Sequence, residues 1–246
     1  PKWTGLGAKV YYAAAWMATR TFDLVITDAH AMADIYRREF GAESRVIEYG
    51  ANLWHSTEPD RVQELGLERD GYFLIVGRLI PDNNVKLMVE GFVRSGSRRR
   101  LVVVGDVPYA DAYADSVKAI RDERVKFLGY VRDQALLREL YCGAFAYLHG
   151  HEHGGTNPAL LKALGAGCCI LALDTAFARE VLLNDRHGFY FGKSVDAVAD
   201  GIARVEGAPE TVARQRATAR ERIESYYHWD RIAAEYESAL LALCDR

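Results

Sequence analysis

The 246-residue sequence has little of several features that define specialised protein classes. No apolar run approaches the roughly 20 residues that a membrane-spanning helix needs, and no secretory signal peptide is recognisable. The four cysteines, Cys142, Cys168, Cys169 and Cys244, show no C-x-x-C spacing. We therefore expect free thiols in a reducing compartment, which favours a cytoplasmic protein without a transmembrane segment.

An excess of charge of one sign is also lacking. The 31 Lys and Arg residues face 34 Asp and Glu residues, which leaves a formal net charge of −3. This balance gives no global attraction to nucleic acid, so no nucleic-acid partner is predicted. What is present is ordinary for a globular chain: 50% of the residues are hydrophobic and 26% are charged. A chain of this length can bury a full hydrophobic core.

Short apolar runs alternate with amphipathic stretches along most of the chain. Most of the apolar runs are continuous, which is typical of parallel strands covered on both faces. The predicted strands are Asp23–Asp28, Arg45–Gly50, Tyr72–Gly77, Leu101–Asp106, Val125–Tyr130, Ala144–His149, Cys169–Asp174 and Gly188–Phe191. The predicted helices are Ala8–Arg20, Ala31–Phe40, Val85–Ser95, Ala110–Asp122, Gln134–Tyr141, Pro158–Gly165 and Ala176–Leu183. This order predicts an α/β protein with a Rossmann-like, doubly wound parallel sheet.

The alternation is interrupted at two places. Residues 53–71 are polar and contain a proline, which is typical of a linker, and no strand is predicted after Phe191. These breaks define four predicted regions. They are the partial Rossmann-like domain 1–52, the linker 53–69, the complete Rossmann-like domain 70–215 and the C-terminal helices 216–246.

Three histidines, His149, His151 and His153, alternate at the end of a predicted strand. Side chains at positions i, i+2 and i+4 of a strand share one face, so these three could converge on a zinc ion. However, Gly150 and the pair Gly154–Gly155 disfavour an extended strand through all three, and no fourth ligand follows at a motif spacing. We therefore predict no metal site, and we interpret the histidines as polar residues at the C-terminal end of a strand.

The stretch after these histidines is typical of a strand–turn–helix connection that can bind an anion. Gly154 and Gly155 allow close approach of the backbone to a ligand. Asn157 is a favoured N-cap residue, and Pro158 is favoured at the first helical position. A helix N-terminus presents free N–H groups and partial positive charge, which suit a phosphate. The alternative is an ordinary turn without a ligand.

Arg78 follows the predicted strand Tyr72–Gly77 and belongs to the same edge of the sheet. A guanidinium at this position can bind a phosphate through two hydrogen bonds. The alternative is a surface ion pair with Asp82 or Asp106. No G-x-G-x-x-G follows any predicted strand, so a dinucleotide is not expected and no cofactor is predicted.

Several segments resemble a known family in the correct order. They are "YFLIVGRLIPDNN" from Tyr72, "RLVVVGD" from Arg100, the run from Phe127 to Gly167 and "ILALDTAFAREVL" from Ile170. Together they resemble the donor-binding half of GT-B glycosyltransferases of the retaining family-4 type. The "HGH…GGTNP" motif is more similar to that of bacterial rhamnosyltransferases of surface-polysaccharide synthesis. Residues 16–52 resemble the end of that family's N-terminal domain, and residues 226–244 resemble its C-terminal crossing helices.

The resemblance implies a role for each matching residue. Arg78 contacts the donor diphosphate, and the backbone around Tyr130 and Val131 flanks the nucleobase. The diphosphate and the sugar are held by Gly154, Gly155, Thr156 and Asn157. No metal is needed, because the helix N-terminus and basic side chains stabilise the leaving diphosphate.

The same resemblance implies the ligands of the site. The expected donor is a nucleoside-diphosphate sugar. dTDP-rhamnose is our first choice, with GDP-mannose and UDP-sugars as alternatives. The expected acceptor is a glycan or a lipid-linked sugar, which is compatible with a peripheral position at the inner face of the membrane.

Three positions depart from the family pattern. Lys162 stands where a ribose-binding glutamate is expected, and it is included among the donor-binding candidates. A second glutamate is expected eight positions earlier, where Gly154 stands, so the nearby Glu152 is the only catalytic candidate. Asn83 stands where a lysine is common, and it is also a donor-binding candidate.

A complete GT-B enzyme needs two Rossmann-like domains, or roughly 300 residues and more. The sequence predicts one such domain and part of another, so we expect no sugar transfer by this chain alone. The acceptor site would then come from an N-terminal acceptor domain or from a second copy of the chain. Two other classes stay open: a non-catalytic nucleotide-sugar-binding or scaffold protein, in which Lys162 marks lost activity, and a zinc-dependent enzyme built on the three histidines.

Overall fold

The computed structural model describes residues 5–244, so residues 1–4 and 245–246 of the predicted regions lie outside it. Its strands form two parallel sheets, one of two strands and one of six. The strands are β1 (Ile26–Thr27), β2 (Arg45–Val46), β3 (Tyr72–Val76), β4 (Arg100–Val104), β5 (Val125–Gly129), β6 (Ala146–His149), β7 (Cys169–Leu173) and β8 (Phe189–Phe191). Every predicted strand is present. β1 and β2 are much shorter than predicted because within the described chain they pair only with each other.

The helices also follow the prediction closely. They are α1 (Gly5–Thr21), α2 (His30–Phe40), α3 (Val85–Ser95), α4 (Ala112–Lys118), α5 (Gln134–Gly143), α6 (Pro158–Ala166), α7 (Ala176–Leu182), α8 (Val195–Glu206), α9 (Pro209–Arg222) and α10 (Trp229–Cys244). None of the helices within residues 5–244 combines the length and hydropathy needed to cross a membrane. The four cysteines are free thiols, as predicted, and all but Cys244 are buried.

The six-stranded sheet has the order β5-β4-β3-β6-β7-β8, and all its neighbouring strands are parallel. One apolar layer packs α5, α6 and α9 on one face, and a second layer packs α3, α4 and α8 on the other. The predicted doubly wound α/β fold is therefore confirmed. The chain winds outward from β3 in one direction and from β6 in the other, so the strand order reverses between these two central strands.

The segment between the two sheets, which contains the predicted linker 53–69, packs against the six-stranded region. A 3₁₀ helix spans Pro59–Leu65, and Val62 and Leu67 are almost fully buried against the six-stranded region. The segment is polar because only a few of its side chains face inward. Composition alone therefore did not reveal that it is anchored.

A buried carboxylate fastens the start of this segment. Glu139 on α5 is fully buried, and it accepts hydrogen bonds from Ser56 Oγ at 2.5 Å, Thr57 N at 2.8 Å and Glu58 N at 3.0 Å. Burial opposes ionisation of Glu139, but these hydrogen bonds and nearby Arg69 leave its pKa below the ordinary value. The connecting segment is thus fixed to α5 through an ionised side chain.

The N-terminal region consists of α1, β1, α2 and β2. A small cluster of Ile47, Ile232 and Ala239 packs α10 against this region. The chain also passes twice between the two regions, and the two passes lie side by side. Ala51 N donates to Tyr227 O at 2.7 Å. The second pass begins with one turn of π-helix at Ile223–Tyr227.

Candidate functional site

A cavity of about 230 Å³ opens at the C-terminal ends of β3 and β6. It is lined by Ile75, Val76, Gly77, Arg78, Asn83, Val85, Met88, Tyr147, Leu148, His149, Gly150, His151, Asn157, Pro158 and Ala159. These are the two strands between which the strand order reverses. In open parallel sheets this crevice is the usual place for a ligand. This cavity is therefore the main candidate site.

Arg78 begins the loop after β3, and its side chain is exposed beside the cavity. Asp106, one of its two predicted ion-pair partners, pairs instead with Lys118 at 2.6 Å. Among the described residues, Arg78 takes part in no ion pair with Asp82 or any other acid. Its guanidinium is thus available to an anionic ligand in the cavity.

Asn83 joins the two loops that border the cavity. Its Nδ2 donates to the backbone oxygen of Arg78 at 2.8 Å, and its Oδ1 lies 2.7 Å from His151 Nδ1. Since Nδ2 is the donor of the amide, Oδ1 is an acceptor, and His151 Nδ1 must carry a proton. Asn83 therefore lines the cavity and orients His151.

The three histidines have different surroundings. His149 is buried at the end of β6, and its ring lies 5.9 Å from that of Tyr147 and 6.1 Å from that of His151. Burial, and secondarily His151, lowers the pKa of His149 to about 3. His149 is therefore a neutral residue of the cavity wall, and β6 ends at His149, so His151 and His153 lie beyond the strand.

The possible metal ligands that the structure brings together are not the three alternating histidines. Among residues 5–244, the set whose ligand atoms lie within 4.8 Å of one another is His30, Glu48 and Glu180, not the three histidines. This set lies where α2 meets α7. Both Glu180 oxygens already accept hydrogen bonds, from His30 N at 2.7 Å and from Ala31 N at 2.9 Å. Glu180 thus caps the N-terminus of α2.

The predicted helix start after the glycine turn is confirmed. Asn157 Oδ1 accepts from Ala159 N at 2.9 Å and from Leu160 N at 3.4 Å. Pro158 occupies the first turn of α6. Gly154 has a φ of +100°, a left-handed conformation that favours glycine. This geometry directs the N-terminus of α6 toward the cavity.

Asp28, which the sequence prediction missed as a site residue, holds this turn from the N-terminal region. Its backbone oxygen accepts from Thr156 Oγ1 at 2.5 Å, and its carboxylate lies so close to Gly155 that a Cβ there would overlap it. Among the four predicted cradle residues, only Asn157 lines the cavity itself. The sequence contains one indication, because Asp28 ends a predicted strand. The residues that it contacts, Gly155 and Thr156, are far from it along the chain.

Lys162 does not line the cavity. Its Nζ lies 5.4 Å from the centre of the Trp54 ring, in the geometry of a cation–π contact. Tyr130 and Val131 follow β5, at the outer edge of the sheet, and Tyr130 is 72% exposed. These three candidates therefore lie outside the cavity.

Glu152 is held in an ion pair rather than directed into the cavity. Its Oε2 lies 2.5 Å from Lys193 Nζ and 3.3 Å from Asn84 Nδ2, and Lys193 is the main cause of its lowered pKa. Its backbone N donates to the oxygen of Asp82 at 3.0 Å. Glu152 thus fastens the loop after β6 to the loop after β3, and this arrangement does not favour a catalytic role.

Comparison with known proteins adds independent findings. The family model of the glycosyl transferases group 1 matches residues 56–222. A curated relative from Campylobacter jejuni is N-acetylgalactosamine-N,N'-diacetylbacillosaminyl-diphospho-undecaprenol 4-alpha-N-acetylgalactosaminyltransferase. It is 23% identical over 172 residues, which are 68% of this chain and 46% of the relative. The chain therefore spans about half the length of the curated relative that it matches.

Solved structures show the same fold at low sequence identity. Anabaena HepE in complex with UDP-glucose aligns with a TM-score of 0.83 and 18% identity, over 94% of this chain and 66% of that one. Sucrose-phosphate synthase from Thermosynechococcus elongatus aligns with a TM-score of 0.84 and 18% identity, over 99% of this chain and 65% of that one. The resemblance to GT-B enzymes is thus confirmed for the fold. Because the family model covers the whole six-stranded region, including the cavity at β3 and β6, this chain belongs to the glycosyl transferases group 1.

Proposed function

We propose that the cavity binds the diphosphate of a nucleoside-diphosphate sugar, so that this chain is the donor-binding part of a glycosyltransferase. The observation that carries the proposal is the electrostatic character of the cavity. Arg78 and the N-terminus of α6 border it, and no carboxylate is among its lining residues within the described chain. A helix N-terminus and a guanidinium both favour a phosphate group.

The nucleotide and the sugar are further parts of the proposal. The "HGH…GGTNP" segment supports dTDP-rhamnose as the donor. The UDP-glucose bound to the structurally similar HepE makes a UDP-sugar the main alternative, and GDP-mannose is the third. Transfer with retention of the anomeric configuration rests on the resemblance to family-4 enzymes alone.

The acceptor is proposed to be a growing glycan or a lipid-linked sugar. The name of the Campylobacter relative specifies a diphospho-undecaprenol acceptor, which supports the lipid-linked class. Retaining transfer requires donor and acceptor to be held in contact. We therefore propose that an N-terminal acceptor domain or a second copy of the chain completes the reaction site.

A second candidate is a protein that binds the nucleotide sugar without transferring it. Lys162 supports this possibility because it replaces the expected glutamate and contacts Trp54 outside the cavity. The two candidates share the donor site and differ in turnover. Release of nucleoside diphosphate from a panel of sugar nucleotides, in the presence of lipid-linked acceptors, distinguishes them.

Calorimetry tests the donor site directly. UDP, dTDP and GDP are titrated into the protein, each with and without EDTA. At least one is expected to bind equally well under both conditions, because Arg78 and α6 supply the positive field. Absence of binding by all three contradicts the proposal, and binding that EDTA removes would indicate a metal-dependent site instead.

A further inference from the structure

The cavity has fewer positive charges than its proposed ligand has negative ones. A diphosphate carries more than one negative charge, whereas Arg78 is the one permanent cation among the lining residues of the described chain. The N-terminus of α6 adds only a partial charge, equivalent to roughly half a unit. A second group that becomes positive on binding would remove this deficit.

His151 is placed to be that group. Its Nδ1–H is held by Asn83 Oδ1 at 2.7 Å, so its second ring nitrogen, Nε2, is the one left to meet a ligand. Nε2 lies beside the glycine turn, 3.5 Å from the position of a Cβ built on Gly154. The ring is thus fixed in orientation, and one nitrogen lies next to the turn that borders the N-terminus of α6.

The groups around His151 keep it neutral without a ligand. Burial is the largest cause and lowers the pKa of His151. Asp82 and the backbone carbonyl of His153 raise it in part, and the His153 ring and Arg78 lower it. His149, from the end of β6, is neutral because burial lowers its own pKa to about 3.

Apart from Asp82, whose effect on the pKa of His151 is smaller than that of burial, the acids near this part of the cavity are already engaged. Glu152, on the same loop, forms an ion pair at 2.5 Å with Lys193, which lies in the loop after β8. Asp28, from the N-terminal region, packs against Gly155. Neither carboxylate is a partner of His151, so a bound phosphate would be the strongest new anion that its ring meets.

We propose that His151 takes up a proton at Nε2 when the donor diphosphate binds, and that the resulting imidazolium is the second cation of the cavity. The proton comes from the solvent, no covalent bond changes, and Nε2–H then donates to a phosphate oxygen. Nδ1–H remains bound to Asn83 throughout. The proposal rests on the proposed donor site and adds His151 to it as a second cationic group that binds phosphate.

Proton uptake is measured by calorimetry at a fixed pH near 7 in buffers of different ionisation enthalpy. The probes are UDP-glucose and dTDP-rhamnose, because their phosphates lack the terminal group that titrates near pH 6. The wild-type protein is expected to take up a substantial fraction of one proton. Over the pH range in which free His151 is neutral and bound His151 is charged, affinity should rise about tenfold for each unit that the pH falls.

Two variants complete the test. His151→Gln retains a polar side chain that cannot be protonated, so uptake should vanish and binding should become nearly independent of pH. His228→Gln, at the crossing to α10, is the matched control and should leave the uptake unchanged. Should His151→Gln fold poorly, the pH dependence of wild-type affinity and the histidine NMR signals decide the question.

The outcomes separate this inference from the proposed function. If no nucleotide or nucleotide sugar binds the wild-type protein, both are overturned. If a ligand binds without proton uptake, or if uptake persists in His151→Gln, the role of His151 is refuted and the donor site stands.

Discussion

The six-stranded region and the N-terminal region bury apolar surface in opposite ways. In the former, two apolar layers fill both faces of the sheet, and residues such as Leu74 are completely buried. In the latter, α1 has no buried residue, and Leu6 and Trp16 are 78% and 54% exposed. The six-stranded region therefore supplies most of the stability. The N-terminal region is ordered mainly by contacts at its boundary with that region.

The largest expected effect tests this difference in burial. Leu74→Ala in β3 should lower the free energy of unfolding by about 2–5 kcal/mol, because it leaves a cavity in a packed core. Leu6→Ala in α1 makes the same chemical change at an exposed position and should cost less than about 0.5 kcal/mol. Urea denaturation measures both, and similar losses in the two variants would show that α1 is covered in solution.

The next prediction assigns ligand binding to one region. Arg78→Ala should weaken nucleoside-diphosphate binding roughly 10- to 150-fold, since a hydrogen bond to a charged group contributes about 1.5–3 kcal/mol. Arg98→Ala, an exposed arginine just before β4 at the opposite edge of the sheet, is the control and should bind normally. Calorimetry gives both affinities. Equal affinities in the two variants would remove Arg78 from the site.

A third prediction concerns the contact between the regions. Gly155→Ala places a methyl group against the Asp28 carboxylate and should cost about 1–3 kcal/mol in unfolding free energy. Gly192→Ala is the control, because its nearest neighbour, Ala197 Cβ, is at an ordinary 3.6 Å. Combining Gly155→Ala with Asp28→Ala should restore most of the loss. Failure of this rescue would mean that the strain arises elsewhere.

Lys162 provides a smaller test. Lys162→Glu should lower stability by about 0.5–1 kcal/mol through loss of the contact with Trp54, and it should change nucleotide affinity by less than about twofold because the side chain is outside the cavity. Lys162→Met, which keeps the apolar stem, controls for packing. Clearly tighter binding by the glutamate variant would show that this position does reach the ligand.

The smallest effect is a pH dependence at the boundary. Burial is the main cause that raises the pKa of Asp28 above its ordinary value; a backbone hydrogen bond opposes this effect, and Glu180 and Glu48 add to it. A raised carboxyl pKa means that the folded state disfavours the ionised form. Stability is therefore lost as the pH rises from the ordinary Asp range through the folded pKa.

Asp28→Asn removes this titration while keeping the shape of the side chain. The variant should thus gain a small amount of stability relative to the wild type near pH 7, and the gain should disappear near pH 3. Thermal unfolding at the two pH values measures it. A gain that is equal at both would indicate a packing effect rather than an electrostatic one.

The features that the sequence predicted well are local ones. Apolar runs predict β3 to β8, and the adjacent residues Asn157 and Pro158 predict where α6 begins. The features it missed join distant parts of the chain. Asp28 contacts the turn at Thr156, and Glu139 anchors residues 56–58. No local pattern encodes such contacts, because they depend on how whole elements pack.

Side-chain direction was the other limit. Lys162, Glu152 and Arg78 all occur in segments that border the cavity, yet only Arg78 lines it. Lys162 turns to Trp54, and Glu152 turns to Lys193. Position within a motif fixes which loop a residue belongs to, whereas the neighbours available in three dimensions fix the direction of its side chain.

The two adjacent chain passes between the regions have a mechanical consequence. The two passes are joined by the hydrogen bond from Ala51 N to Tyr227 O, so they cannot move independently while that bond is intact. Glu139 clamps the chain directly after the first pass, which leaves only a short length to flex. Asp28, in the N-terminal region, contacts Gly155 and Thr156 of the six-stranded region. Any displacement of the N-terminal region relative to the six-stranded region would therefore change the contacts of Asp28 with the glycine turn.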